Sequence, residues 1–313
     1  MSSRRPADLT DLVDRTVAGD ARSTGRLLSL VEDASPALPE LLRLLAPHTG
    51  RAQVVGITGA PGVGKSTTTS ALIGALRAEG RRVGVLAVDP SSPFTGGALL
   101  GDRIRMGEHG TDPGVFVRSM ASRGHLGGLA AAAPQALRVL DAAGYDVVLI
   151  ETVGVGQSEV DVMGLADTTV VLLAPGLGDS IQAAKAGILE IADVFVVNKA
   201  DRADAGELSR QLRHLQAMAP GQDWTPPIVP TVATEQRGID RLLAALAEHR
   251  AFLDSSGQVA RRRRDRARHE IEAIAADLLR RRLAADDRLP GLSGQVAAGE
   301  IDPYAAAEQL LAR

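Results

Sequence analysis

The sequence predicts an α/β fold with a mostly parallel central sheet flanked by helices, and three observations predict it. From Gln53 onward, short β-branched runs alternate with helical stretches, and the runs are apolar throughout rather than alternating. That suits strands buried on both faces. The segment Gly59-Ala60-Pro61-Gly62-Val63-Gly64-Lys65-Ser66 fits G-x-x-x-x-G-K-S without a mismatch, between such a run and a helical stretch. Asn198-Lys199-Ala200-Asp201 follows the run Val194-Phe195-Val196-Val197. Ligands in this architecture bind at the carboxyl ends of strands, and both motifs fall at such an end. The expected fold is a P-loop NTPase with helical N- and C-terminal extensions.

Residues 8–46 carry helical periodicity. Leu9, Leu12, Val13 and Val17 share one face, and Leu27, Leu28, Leu30 and Val31 continue it after Gly25. Pro36 and Pro39 set off Leu41 to Leu45, and Pro47 and Gly50 close the segment. Residues 1–50 are therefore read as a helical N-terminal extension. Strands are expected at Val54 to Ile57, Val83 to Val88, Val115 to Val117, Asp146 to Ile150, Thr169 to Leu173, Val194 to Val197 and Ile228-Val229. Residues 51–253 form the nucleotide domain, closing with a helix over 236–253. Ser255-Ser256-Gly257 breaks the chain, and residues 254–313 are a helical C-terminal extension, read as a dimerisation arm. It has a long helix over 258–283 with Ile271, Ile274 and Leu278 on one stripe, and a short one in the tail from Ile301.

The glycines of the 59–66 segment let backbone N–H groups approach phosphate oxygens, and the following helix presents its positive end. Lys65 is placed to reach the β- and γ-phosphates and Ser66 to ligate Mg²⁺. Glu151 follows the strand ending at Ile150 and is a candidate magnesium ligand, one methylene longer than the Asp usual in an Asp-x-x-Gly motif, with the Gly154 N–H the candidate sensor of the γ-phosphate; a strand-end carboxylate near water is the alternative. Asp89 also ends a strand, and Asp102 sits in the glycine-rich stretch Gly96 to Arg103. Both are candidates for the magnesium shell; a solvated loop acid is the alternative for Asp102. Mg²⁺ prefers few carboxylates plus water, so the three acids need not ligate together.

Asp201 selects the base. A carboxylate past a strand accepts from the ring N–H and exocyclic amine of guanine, whereas adenine turns a lone pair toward it. Lysine usage points the same way. Of 35 lysines and arginines only Lys65, Lys185 and Lys199 are lysine. Two of them stand where the motifs ask for a compact ammonium rather than a planar fork. The ligand is read as GTP or GDP with Mg²⁺.

Composition bounds the rest. A chain of 313 residues, 45% apolar with few aromatics, builds its core from Ala, Leu, Val and Ile. A net charge of −3 makes no global electrostatic case for nucleic acid or membrane. Without cysteine there is no disulfide framework and no thiolate metal site. The N-terminus lacks the apolar core of a signal peptide, and no apolar run approaches the roughly 18 to 20 residues that span a bilayer. A soluble cytoplasmic protein is expected. The strongest charge run, Arg261 to Arg264 with Arg266 and Arg268, lacks interleaved aromatics. It is read as a solvated helix face, or as arginines pairing with acids across a dimer, rather than as a nucleic-acid surface.

These motifs in combination resemble the methylmalonyl-CoA mutase-associated GTPases, the MeaB/MMAA/ArgK family. The resemblance rests on Gly59 to Thr67, Val88-Asp89-Pro90-Ser91-Ser92, Gly101-Asp102-Arg103-Ile104-Arg105-Met106, Glu151 to Glu159 and Gly178 to Gly187. It is dense over residues 54–204. It implies a homodimeric GTPase that serves as chaperone to an adenosylcobalamin-dependent acyl-CoA mutase. Such a protein gates cofactor delivery by an adenosyltransferase and protects or reactivates the mutase. It further implies phosphate and magnesium roles for Lys65, Ser66, Asp89, Asp102 and Glu151, and guanine roles for Asn198, Lys199 and Asp201. A third switch around Asp179, Gln182 and Lys185 would relay nucleotide state. One departure stands out: Thr231-Val232-Ala233-Thr234 replaces the usual Ser-Ala motif, with the Ala233 N–H still available to the guanine carbonyl.

Phosphoryl transfer to water rests on positioning and charge neutralisation. Lys65 and Glu151 are the expected contributors. Val155 stands where Ras-like enzymes carry a water-orienting glutamine, so Gln157 is the candidate for that task and a surface amide the alternative. Arg103 and Arg105 are the in-chain candidates for neutralising transition-state charge. Slow intrinsic hydrolysis, accelerated by a partner, is expected. The competing readings are a metal-insertion (nickel) GTPase, against which the scattered histidines argue, and a nucleotide-dependent kinase, against which Asp201 argues.

Overall fold

The computed structural model describes residues 9–89, 109–121, 128–152, 164–176, 191–218 and 223–312. Among them are seven strands in one sheet, ordered β3-β2-β4-β1-β5-β6-β7, with every neighbouring pair parallel. They are β1 (Gln53–Gly59), β2 (Val83–Asp89), β3 (Val115–Ala121), β4 (Val147–Thr152), β5 (Thr168–Leu173), β6 (Val194–Asn198) and β7 (Ile228–Thr231).

The unbroken apolar runs have the meaning their pattern suggests: β4, β5 and β6 are buried at every position. Successive side chains serve opposite layers. On one face Leu86, Val88, Val148 and Ile150 meet α1 (Leu9–Val17), α2 (Ala21–Glu32), α3 (Leu38–Leu45) and α5 (Gly128–Ala142). Further along the sheet, Val171, Leu173, Phe195 and Val197 meet α6 (Ala205–Met218). On the other face Val55, Ile57, Val83, Val85, Val170 and Val196 meet α4 (Lys65–Ala78) and α7 (Ile239–Ser255).

The helices of the first fifty residues thus share the main core: Leu27, Leu28, Leu41 and Leu45 are fully buried. The break between α1 and α2 falls at Gly19 (φ +87°), not at Gly25, which lies inside α2. Asp20 caps α2 by accepting from the N–H groups of Arg22 and Ser23. This layer is pinned to β3 by Arg118, which forks onto Glu32 and also donates to Ser29.

The chain divides into two compact units, Met1–Arg266 and Ala267–Arg313. α8 (Gln258–Ala284) begins in the first. The second holds its later turns, α9 (Arg288–Ala297) and α10 (Pro303–Leu311). The sequence reading missed α9, because Pro290, Gly291 and Gly294 fall within it. Pro290 is tolerated in the first turn, where its missing N–H has no intrahelical partner to lose. Arg288 donates to the carbonyls of Gln309 and Leu310 at the end of α10, and Asp302 caps its start. Ile271 and Leu278 are 67% and 62% exposed.

Two members of the arginine run turn inward, so it is not a wholly solvated face. Arg262 forks onto Asp193, and Arg266 donates from Nη2 to Asp167, both within this chain. Burial pushes the Asp193 carboxyl up, but the hydrogen-bonded Arg262 guanidinium and the nearby His249 ring outweigh it and hold it below its ordinary value. A depressed carboxylate contributes stability above its unfolded pKa of about 3.9 and loses it as pH falls through the lower folded value. Stability is therefore expected to drop below about pH 4, and Asp193→Asn to flatten that slope while lowering stability at pH 7. Urea unfolding at pH 7 and pH 3 measures both.

Candidate nucleotide site

The candidate site lies along the carboxyl edge of the sheet, on either side of β1. The loop after β1 needs its glycines for different reasons. At Gly59 (φ +146°) an added Cβ would stand 2.3 Å from the Leu172 carbonyl oxygen, so the strand end packs backbone to backbone against β5. Gly62 (φ +79°) has open space around it. Gly64 (φ +99°) opens α4 in the left-handed region, and a Cβ there would stand 2.3 Å from Asn198 Nδ2. With glycine as its N-cap, α4 has no side-chain cap. Its first N–H groups face the loop with no partner from their own helix.

Lys65 crosses the mouth of this loop, donating from Nζ to the carbonyls of Gly59 (2.6 Å) and Ala60 (3.3 Å). Ser66 Oγ donates to Glu151 Oε1 at 2.7 Å. The parallel register sets Glu151 beside Ile57 on β1, and its long side chain reaches across to α4. Both side chains are buried, Ser66 at 8% and Glu151 at 1% exposure. A hydroxyl and a carboxylate converging at a helix N-terminus are hard oxygen donors of the kind Mg²⁺ takes, so the residues present fit that ion. Glu151→Gln is expected to remove the anionic donor and weaken magnesium-dependent nucleotide retention by roughly tenfold or more. The GDP release rate, measured with and without Mg²⁺, checks this.

The base motif is tied to the phosphate loop. Asn198 ends β6; its Nδ2 donates to the Val63 carbonyl (2.8 Å), and its Oδ1 accepts from Thr231 Oγ1 (3.1 Å) and the Ala233 N–H (3.2 Å). Lys199 sits at φ +58°, a left-handed conformation rare for a lysine. Its Nζ donates to the Gly62 carbonyl at 2.8 Å. The Ala200 N–H donates to the Thr231 carbonyl. The tetrapeptide is thus fastened to the loop on one side and to the end of β7 on the other.

In this arrangement the Asn198 side chain clamps the loop to the end of β7 and the Ala233 N–H donates to it; the guanine contacts expected of both residues remain a proposal. Asp201 remains at the surface. It lines a cleft of about 500 Å³ with Thr231, Val232, Arg237, Gly238 and Asp240 among its walls. Gly238 shapes that cleft, since a Cβ there would stand 2.3 Å from the Pro230 carbonyl oxygen. Thr231, read from sequence only as a departure from a familiar motif, proves to be a partner of Asn198. The signal available was the glycine at position 64, which leaves room for an amide.

The structure brings together Gly59 through Thr67, Glu151, Asn198 and Lys199. Asp201 and Ala233 stand beside them, and Asp89 is the last residue of β2. Asp102, Arg103, Arg105, Gln157, Asp179, Gln182 and Lys185 lie outside the described residues. Among the described residues no helix is long and apolar enough to cross a membrane.

A family model described as methylmalonyl Co-A mutase-associated GTPase MeaB matches residues 24–288. A protein of Pyrococcus abyssi bearing a GTPase name is 48% identical over 310 residues, covering 97% of this chain and 96% of its own. A Caenorhabditis elegans protein, named methylmalonic aciduria type A homolog, mitochondrial, is 34% identical over 271 residues, covering 82% and 67%. Among solved structures, a LAO/AO transport system kinase superposes with a TM-score of 0.74 at 28% identity, covering 99% of this chain and 98% of that one.

Proposed function

We propose, from the premise that this chain belongs to the methylmalonyl-CoA mutase-associated GTPase family, that it is a guanine-nucleotide-dependent chaperone of an adenosylcobalamin-dependent acyl-CoA mutase. The chain is a GTPase. An association with a methylmalonyl-CoA mutase is what the family description and the name of the nematode relative support; gating of cofactor loading by an adenosyltransferase and protection or reactivation of the mutase are the finer part of the proposal. The observation that carries the nucleotide reading is the interlock between motifs. Asn198 and Lys199 spend their side chains on the carbonyls of Val63 and Gly62, which leaves Asp201 as the outward polar group of the tetrapeptide.

In the reaction so proposed, the amides of the loop and the first turn of α4 bind phosphate oxygens. Lys65, already held at the loop mouth, exchanges two carbonyl partners for anionic ones. Ser66 and Glu151 would hold Mg²⁺, which when bound neutralises phosphate charge. Asp201 accepts two N–H bonds from guanine. Arg105 is the proposed source of transition-state charge and Gln157 the proposed orienter of water, with Asp89 and Asp102 completing the metal shell. Lys185, with Asp179 and Gln182, reports the nucleotide state to the mutase. The exposed Ile271 and Leu278 support a homodimer formed through residues 254–313, and a cytoplasmic location goes with the reading.

The test is the GTPase rate of the purified protein alone and with candidate mutases. Turnover is expected to be slow alone and to rise with the cognate mutase, by as much as about 10³-fold where an arginine completes the site. A rate unchanged by every cobalamin-dependent mutase would remove the chaperone role and leave the GTPase. Lys185→Ala is expected to leave GTP affinity intact and abolish mutase stimulation, read in the same assay.

A further inference from the structure

The edge of the sheet opposite the nucleotide holds a buried polar cluster that the reaction does not use. Asp193 stands at the foot of β6 and binds several elements at once. Its Oδ2 accepts from the Thr169 N–H of β5 (2.8 Å), and its two oxygens take the fork of Arg262 from α8 (2.8 Å each). His249 of α7 is fully buried, with Nδ1 2.9 Å from Thr168 Oγ1 and Nε2 3.2 Å from Asp193 Oδ1, the latter contact off hydrogen-bond alignment. Trp224 donates from its indole to the Asp193 carbonyl and packs on His249 at 4.8 Å between ring centres. The Thr-His-Asp order looks like a nucleophile relay, but Thr168 and His249 are both sealed from solvent, so no substrate reaches them.

Asp167, at the foot of β5, repeats the arrangement. Its Oδ2 accepts from the Val54 N–H of β1 (2.9 Å), its Oδ1 from Arg266, and its carbonyl from Arg262. Two arginines one helical turn apart therefore grip two acids, whose Oδ2 atoms also hold the backbones of β1 and β5.

Each gripped element has its other end in the candidate site. β1 runs into Gly59, β6 into Asn198, and α7 starts at the cleft beside Asp201. A strand of five to seven residues spans about 17–23 Å. These strands are buried and hydrogen-bonded on both sides, so they shift as rods rather than bend. The carboxylates resist partial opening, because a buried acid that loses its guanidinium is left under-compensated.

We propose that this double grip links the seating of the first turns of α8 to guanine-nucleotide occupancy at the far edge of the sheet. The grip is a latch: nucleotide tightens the loop, Asn198 and the strands as one body, and that body holds α8. The inference rests on the GTPase reading, and linkage makes the effect reciprocal.

The test uses the full-length protein, with amide hydrogen exchange of residues 258–266 and GDP release as paired readouts. Wild type is expected to exchange about fivefold or more slowly at 258–266 with GDP bound than without. Arg262→Met is expected to lose that nucleotide dependence and to release GDP about fivefold or more faster, while Arg261→Met, at an exposed position of the same helix, changes neither. Trp224 is the only tryptophan of the chain, so its emission reports the latch directly and should move with GDP in wild type and not in Arg262→Met. Wild-type exchange at 258–266 that ignores GDP overturns the proposal, and this measurement needs no variant to fold. Faster exchange in Arg262→Met with unchanged GDP release overturns it too, reducing the grip to a staple. Absence of GDP binding in wild type would instead defeat the GTPase reading.

Discussion

Replacing Asp201 with asparagine is expected to weaken GTP binding by about 10²–10³-fold and to create affinity for xanthosine triphosphate. The carboxylate accepts two charge-assisted hydrogen bonds from guanine, each worth roughly 1.5–3 kcal/mol. Asparagine can accept only one of them and turns an N–H₂ toward the other donor. Xanthine carries a carbonyl where guanine carries its exocyclic amine, so the asparagine amide meets an acceptor. The loss should be confined to the carboxylate that reads the base: Asp204→Asn, at an exposed acid that does not line that cleft, is expected to leave GTP affinity within about twofold, as a surface change away from the ligand does. Calorimetric titration of both variants with GTP, ATP and XTP decides it. GTP affinity retained in Asp201→Asn would mean the base is read elsewhere.

Alanine at Gly64 is expected to be far more damaging than alanine at Gly62, although both glycines have positive φ. At Gly62 the new methyl meets open space, so the cost is the left-handed backbone alone, about 1 kcal/mol. At Gly64 the methyl would stand 2.3 Å from Asn198 Nδ2, and the amide must leave. Asn198 then forfeits its bonds to Val63, Thr231 and Ala233. Buried hydrogen bonds of this kind are worth about 0.5–1.5 kcal/mol each, so with the backbone term the total is roughly 3–5 kcal/mol. The phosphate loop and the base motif also lose registry, and nucleotide binding is expected to fail with them. Urea unfolding without nucleotide isolates the stability term, and GDP titration measures the functional one. Equal destabilisation by the two alanines would refute the interlock.

These two results would separate what each part of the tetrapeptide does. On the proposed reading Asp201 acts on the ligand, while the side chains of Asn198 and Lys199 bond to the phosphate loop. Their residue types are visible in sequence, but the direction of their side chains is not. A side chain that donates to a carbonyl 135 positions away depends on where the chain has brought that carbonyl. The same holds at the foot of the sheet. Arg262 and Arg266 read as solvent-facing charge because nothing local to the run calls for partners; Asp193 and Asp167 become those partners only when β5 and β6 lie side by side.

What the residues determine without any coordinates is the class of fold and the chemistry of the ligand. Uninterrupted β-branched runs require burial on both faces, hence a helix-covered parallel sheet. A G-x-x-x-x-G-K-S turn between strand and helix suits a phosphate or an equivalent anion. Those inferences hold because they rest on local sterics and on hydrophobic periodicity, which act over a few residues. Tertiary structure alone decided that Gly64 is glycine for the sake of Asn198, that Glu151 is long enough to meet Ser66, and that the arginines of α8 grip acids under the sheet. Each of these depends on atoms far apart in sequence, whose separation is set by packing.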